Sequence, residues 1–332
     1  MLKIIKHIVR LPSSIGKAYR LFMKMRGELY KLHADRLFAE TTGFFNGERF
    51  VHFLNERDGN RKLHELMSSQ EPVMIGRHGA VEMDVAVKFD LENKAGDLGK
   101  LCFNAGFFPD DKALAKDWAE LYLESSKDID CLCEMHYRYG RYNEVQYLFS
   151  KYSPQASVVN DINILTPFFE AEPWTRALKG QRVLIIHPFV DTIKAQYEKR
   201  EKLFKNPDML PEFASLQTIR SVQTSAGGQD PRFSDWFEAY GYLCGEISKV
   251  EFDVVLIGCG SYNLPLASYI KRLGKKAVVM GGSVQLLFGI RGQRWDSAGD
   301  WIEQGLYNEH WVRPSDEETP QKSSGVEGGC YW

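Results

Sequence analysis

Residues Phe252–Gly282 read FDVVLIGCGSYNLPLASYIKRLGKKAVVMGG, and this stretch decides the fold. Apolar Val254–Ile257 has the composition of a strand buried on both faces of a parallel sheet. Gly258 and Gly260 predict a tight turn where backbone can approach a ligand closely. Tyr262–Leu273 carries apolar residues at helical spacing, and Gly274 stands where a helix-ending glycine belongs. Lys276–Met280 is the next strand. The stretch is therefore a βαβ unit whose turn offers an anion the backbone N–H groups and the positive end of a helix. It is not a dinucleotide fingerprint. Tyr262 and Asn263 follow where a third glycine is needed, and Met280-Gly281-Gly282 has no acid for a ribose diol, which argues against NAD and FAD. A bare turn that binds nothing is the competing reading.

Working outward, Pro72–Arg77 is a second short apolar strand, and Val81–Phe89 reads as the helix after it. Between them lie Arg77, His78, Gly79, Ala80 and Glu82. An Arg beside a glycine turn suits a phosphate, because its planar fork binds two oxygens. Glu82, one turn later, could hold a metal or accept a proton. A surface ion pair worth about 0–1 kcal/mol is the plainer alternative. Arg182–Ile186 is another buried strand, closed by His187-Pro188, with Asp191 or Thr192 capping the next helix. His187 is either a second candidate base or a hydrogen-bonded structural histidine. Leu216–Val222 is a further strand, followed by Gln223 and a glycine-containing loop, Thr224–Pro231. Ser234 caps a helix over Asp235–Lys249. Asp110 or Asp111 caps one running to about Ser126, Ile129–Cys133 reads as a strand, and Asn143–Tyr152 as a short helix.

The alternation of strand and helix from Pro72 onward predicts an α/β fold: a Rossmann-like, mostly parallel sheet with helices on both faces. The domain reading is an N-terminal helical segment over 1–70, the Rossmann-like domain over 71–312 and a polar C-terminal tail over 313–332. Leu29–Leu66 reads as helical segments broken around Thr41–Gly47 and Asp58–Gly59. Asp300–Trp311 reads as helical and Arg313–Gly329 as loosely ordered. Cys330-Tyr331-Trp332 is too apolar to dangle and is expected to dock on the body.

The chain has 332 residues, 44% hydrophobic and 26% charged, an ordinary composition for a folded domain with a sizeable core. A formal net charge of −2 gives no global basic field for nucleic acid. None of the six cysteines forms C-x-x-C, so reduced thiols and a cytoplasmic location are expected rather than disulfides or zinc. No apolar run approaches the roughly 18 residues of a membrane span. Met1–Tyr30 mixes Ile4, Ile5, Ile8 and Val9 with Lys3, Lys6, Arg10 and Arg20. Such a helix could make peripheral contact with the inner face of a membrane, or pack on the domain or a second subunit.

Together these motifs resemble the GT-D type of glycosyltransferase, a family found with bacterial surface-polysaccharide genes. Arg77-x-Gly79-x-x-Glu82 is similar to its R-x-G-D-G-E segment. Ile257-Gly258-Cys259-Gly260, Leu266-Ala267, Leu273-Gly274, Lys276-Ala277 and Gly281-Gly282 are similar to its C-terminal glycine turn, helix and strand. HPFVDTI, beginning at His187, and LFGIRGQRW, ending at Trp295, are similar to segments of related polysaccharide-locus proteins. The resemblance spans Pro72–Trp295. It implies transfer of a sugar from a nucleotide-diphosphate sugar to a saccharide or lipid-linked acceptor, on a Rossmann-like fold. Arg77, Gly79, Gly258, Gly260, Ser261, Asn263, Gly282 and Arg294 are then candidates for donor binding, and Glu82, Arg77 and His187 for catalysis. Ala80 stands where the family has Asp, so its D-x-E pair is reduced to Glu82. That puts a divalent ion (Mn2+ or Mg2+) on Glu82 in doubt, and Arg77, Lys194, Arg200 or Arg294 could neutralise a leaving diphosphate instead. A non-catalytic nucleotide-binding or scaffolding subunit of a polysaccharide assembly complex is the alternative. The missing acid after Met280 weakens a third reading, a methyltransferase.

Overall fold

The computed structural model describes residues 43–46, 49–134, 141–296 and 305–332. The basic N-terminal segment, with the membrane contact expected of it, lies outside the described residues. Among the described residues there are nine strands: β1 (Gly43–Asn46), β2 (Arg49–His52), β3 (Val73–Gly76), β4 (Cys131–Cys133), β5 (Ser157–Val159), β6 (Arg182–His187), β7 (Ser215–Arg220), β8 (Val254–Ile257) and β9 (Lys276–Val279). β1 and β2 pair antiparallel as a hairpin. The other seven form one sheet in the order β5-β4-β3-β9-β8-β6-β7, with every pairing parallel.

The strands read as apolar runs because both faces are covered. Side chains alternate between two cores with the period of a strand. Met74, Leu184, Ile186, Val255, Ile257 and Val279 face one core. Val73, Ile75, Val183, Ile185, Val254, Leu256 and Val278 face the other. Each such fully buried aliphatic contributes about 1.5–3 kcal/mol of transfer free energy. The first face is covered by helices Ala80–Glu92, Lys112–Ser126, Trp236–Ile247 and Asn263–Arg272, which supply Met83, Trp118, Leu243 and Ile270. The second is covered by Glu56–Ser68 and Val190–Tyr197, through Leu63 and Ile193.

Several expectations are corrected. The helical reading of Leu29–Leu66 fails at β2, Arg49–His52, whereas β1 falls in the break around Thr41–Gly47. Helix Glu56–Ser68 is unbroken at Asp58–Gly59, because Asn55 caps it by accepting from the Asp58 N–H, and Gly59 lets it close on Val159. Residues 305–311 are not helical. Asp235, not Ser234, caps helix Trp236–Ile247. The polar stretch Arg313–Gly329 packs on the body instead of hanging loose. Glu318 is buried and accepts from the Asp191 N–H (2.9 Å), the Thr192 N–H (3.3 Å) and the Thr192 hydroxyl (2.5 Å), so it caps helix Val190–Tyr197 from afar.

Parallel pairing puts the carboxyl ends of all seven strands on one edge. The helix after β6 packs on one face and the helix after β8 on the other, although the two strands are neighbours. Such a reversal leaves a crevice at the strand ends, the usual ligand seat of an open α/β sheet.

Candidate functional site

A cleft of about 560 Å³ opens at that crevice. The chain reaches it by two turns brought together by the strand order β3-β9-β8-β6. Gly258 follows β8 and its N–H donates to Ile186 O (2.9 Å). A Cβ on Gly258 would stand 2.3 Å from Gly281 O and 2.7 Å from His187 Cδ2, so only glycine fits between the neighbouring strand ends. Gly260 has φ +60 and lies against Ala105 O, where a Cβ would approach to 2.4 Å. Asn263 fixes the turn by accepting from the Cys259 N–H (2.8 Å). Burial pushes the Cys259 thiol far above its ordinary value, so it is no nucleophile.

The second turn follows β3. His78 points inward and its Nδ1 lies 2.8 Å from the Tyr122 hydroxyl, both residues being buried. Burial first, then the Glu82 and Glu134 carboxylates, push the Tyr122 phenol well above its ordinary range, so it stays a neutral partner beneath the turn. Arg77 lines the cleft, and its guanidinium lies over Gly281: a Cβ there would be 3.0 Å from Nη1 and 3.2 Å from Cζ. Gly79 is the N-cap of helix Ala80–Glu92. The Glu82 carboxylate sits where a side chain at 79 would be, with Oε2 2.0 Å from that Cβ position. This is the third helical position, from which an acid reaches back over a helix start.

His187 is buried, and desolvation pushes its pKa down to about 3. Its Nδ1 accepts from the Phe189 N–H (3.1 Å), so the neutral ring carries its proton on Nε2. A ring in that state offers the cleft a donor, not a lone pair. The Nδ1 lone pair of His187 is thus already engaged by Phe189, which counts against its candidate role as a base.

A third wall comes from the strap Lys322–Trp332, as the docking of Cys330–Trp332 required. Tyr331 O accepts from Gln285 Nε2 (3.0 Å), Cys330 O accepts from the Arg294 N–H (3.1 Å), and the Tyr331 ring lies on Gly282. The Arg294 guanidinium is 5.0 Å from the centre of the Tyr331 ring and is bonded to the Glu327 carboxylate. Farther along, Val326 and Cys330 form a small apolar cluster with Ala226 and Phe103.

The cleft thus gathers Arg77, Gly79, Glu82 and His187 with Gly258, Gly260, Asn263, Gly282 and Arg294. Ser261 is not among its lining residues. Its hydroxyl accepts from Trp236 Nε1 (2.9 Å) and its carbonyl from Trp118 Nε1 (3.3 Å), so it holds two tryptophans of the core. Lys194 and Arg200 do not line the cleft either; Arg200 pairs with Glu201 on the surface of the second face. Sequence reasoning did not single out Arg141, Asn104, Glu327 or Tyr331 as site residues, yet all line the cleft. Only the apolar end of the strap signalled the last of these. Arg77, Arg141 and Arg294 stand in its lining beside Glu82 and Glu327. Among the described residues no three His, Cys, Asp or Glu side chains converge, and Ala80 contributes no ligand. With Glu82 folded onto Gly79, this donor set does not fit a protein-built metal site. Among the described residues no helix is long and apolar enough to cross a membrane.

No family model matches the chain, and no curated protein matches it. Among solved structures, one described as a highly conserved domain of unknown function 1792 with a distinct glycosyltransferase fold is similar at 14% identity, covering 81% of this chain and 92% of that one, with a TM-score of 0.41. Another, described as a new glycosyltransferase of the same domain type from Streptococcus sanguinis, is similar at 12% identity over 83% of this chain and 97% of that one, with a TM-score of 0.42. Likeness of this degree says nothing of chemistry, which rests on the cleft's own residues.

Proposed function

We propose that the chain is a glycosyltransferase that takes a sugar from a nucleotide-diphosphate sugar and gives it to a saccharide or lipid-linked acceptor of surface-polysaccharide assembly. One observation carries the reading: Arg77, from the turn after β3, is laid over Gly281, which itself touches the Gly258 turn. A guanidinium, a close backbone approach and a helix start then share one seat, and a diphosphate is the ligand that matches all three. The motif resemblance of Arg77–Glu82 and of Ile257–Gly282 supports the same assignment.

In the proposed reaction the acceptor hydroxyl oxygen attacks the anomeric carbon. The bond from that carbon to the diphosphate oxygen breaks, and its electron pair leaves with the diphosphate. Arg77 and Arg294 stabilise the charge that builds there, which is where preorganised charge counts most. Glu82 takes the acceptor proton. His187 lines the cleft as a neutral ring with its proton on Nε2, available to a substrate oxygen. No step is routed through a metal.

Thermal shift against nucleoside diphosphates and nucleotide sugars, with and without Mn2+, tests the donor. A ligand at a hundredfold its Kd adds about 2.7 kcal/mol, which raises the Tm of a chain this size by about 4 °C. Transfer assays then test the roles. Arg77→Ala and Glu82→Ala are expected to lose about 10²–10³-fold in rate with the fold intact. Full activity in both would sink the site assignment.

A second reading, a non-catalytic nucleotide-binding subunit, is favoured by Ala80 and by the seat of Glu82 on its own helix start. Release of free sugar or product by the purified chain decides against it.

A further inference from the structure

We infer that the strap Lys322–Trp332 belongs to the diphosphate-binding machinery: Glu327 holds the Arg294 guanidinium in the resting protein and yields it to an incoming diphosphate, while Tyr331 positions it. This rests on the donor reading above and adds Glu327 and Tyr331, which that reading does not use.

Among the described residues, three non-glycine residues have positive φ: Asn93, Ala226 and Glu327. Asn93 ends a helix, an ordinary place for it. Ala226 (φ +57) and Glu327 (φ +48) belong to the two segments that meet over the cleft, the loop after β7 and the strap. Glutamate has no intrinsic preference for the left-handed region, and Gly328 and Gly329 follow it with φ +73 and +86. Backbone held in a sparsely populated region at a cleft wall needs a compensating contact. For Glu327 that contact is Arg294. Both side chains line the cleft and both remain partly exposed, at 40% for Arg294 and 52% for Glu327. The carboxylate therefore occupies a guanidinium that the cleft presents to ligands, and one charge-assisted pair exchanges for another when a diphosphate arrives.

Tyr331 does the complementary work. Its ring packs on Gly282, where a Cβ would come within 2.4 Å of Cε1, and its carbonyl is tied to buried Gln285. The ring face under Arg294 keeps the guanidinium in place when the carboxylate lets go. Removing the hydroxyl leaves that face intact; removing the ring does not.

The test is calorimetric titration of inorganic pyrophosphate into the full chain and four variants. Glu327→Gln and Glu327→Gly are expected to bind about 2- to 5-fold tighter, the range of a partly exposed ion pair. The glycine variant also removes the backbone strain, so it stays informative if the glutamine variant folds poorly. Tyr331→Phe should bind within about twofold of wild type and Tyr331→Leu about 5- to 10-fold more weakly. Amide exchange over residues 326–332 should rise when pyrophosphate is added to wild type. A merely structural Glu327 predicts unchanged or weaker binding in both its variants, and that result overturns the inference alone. Equal losses in Tyr331→Phe and Tyr331→Leu overturn the positioning role. No pyrophosphate binding by wild type overturns the donor reading along with it.

Discussion

Gly281→Ala isolates the placement of Arg77. Gly281 has φ +59, so an alanine there incurs the left-handed penalty of roughly 1–2 kcal/mol. Its Cβ would lie 3.0 Å from Arg77 Nη1 and 3.2 Å from Cζ. Those atoms are the far end of a flexible side chain, so the guanidinium yields by a few tenths of an ångström or swings away, and the strand ends stay put. The fold survives with a Tm lower by about 1.5–3 °C for a chain of this length. Nucleoside-diphosphate affinity, which depends on where the guanidinium stands, falls about 10- to 100-fold, the worth of a charge-assisted hydrogen bond of about 1.5–3 kcal/mol. Gly274→Ala is the matched control. Gly274 has φ +78 with nothing within 4 Å of its Cβ position, so it carries the same backbone cost without touching Arg77. Calorimetric titration of UDP, GDP and ADP into both variants and into Arg77→Ala is the assay. Gly281→Ala and Arg77→Ala should fall together, and their double variant should fall no further. Equal affinities in Gly281→Ala and Gly274→Ala would refute the claim that Gly281 seats the guanidinium.

Stability should drop as pH falls below 6.5, because the unfolded chain binds a proton at His187 that the folded chain refuses until about pH 3. Burial is the sole cause of that shift, and the slope from this group is roughly 1.4 kcal/mol per pH unit across the window. Urea unfolding at pH 5 and 7 should show the difference shrinking in His187→Gln. Glu318→Ala strips four hydrogen-bonding contacts from helix Val190–Tyr197 and Arg220, and should lower stability by about 1–3 kcal/mol. Faster tryptic cleavage after Lys322 reports the loosened strap, and an unchanged rate counts against the Glu318 anchor. Ser261→Ala leaves Trp236 Nε1 without its acceptor, so it should lose about 1–3 kcal/mol of stability by denaturant melt while nucleotide affinity stays level.

The sheet was legible because strands buried on both faces must be apolar throughout: Val254–Ile257 and Arg182–His187 announce themselves. β5 did not, having only Ser157–Val159 and lying at the sheet edge. Gly59 misled because a glycine in a helix reads as a break, whereas here it lets the helix close on Val159. The glycine turn and the Arg77 turn could be read locally, and parallel pairing alone then put them on one edge. Three features could not be read locally. The proton position on His187 is set by the Phe189 N–H, a matter of turn geometry. Ser261 turns to Trp236 and away from the cleft. Glu318 and Glu327 sit in a stretch whose polarity suggests solvent, while their partners are Thr192 and Arg294, distant in sequence.

The strand order has a consequence for assembly. β3-β4-β5 and β6-β7 are two partial sheets, and β8 and β9 are inserted between them, pairing Val73 with Lys276 and Val183 with Val254. Until that insertion, β3 and β6 each present an unpaired edge of the kind that seeds misassociation. Closure by such distant pairs is entropically slow, on the order of milliseconds to seconds. The Arg77–Gly281–Gly258 contact lies across this seam, so ligand binding in a refolding experiment should appear only with the final, seam-closing phase and never with either partial sheet alone.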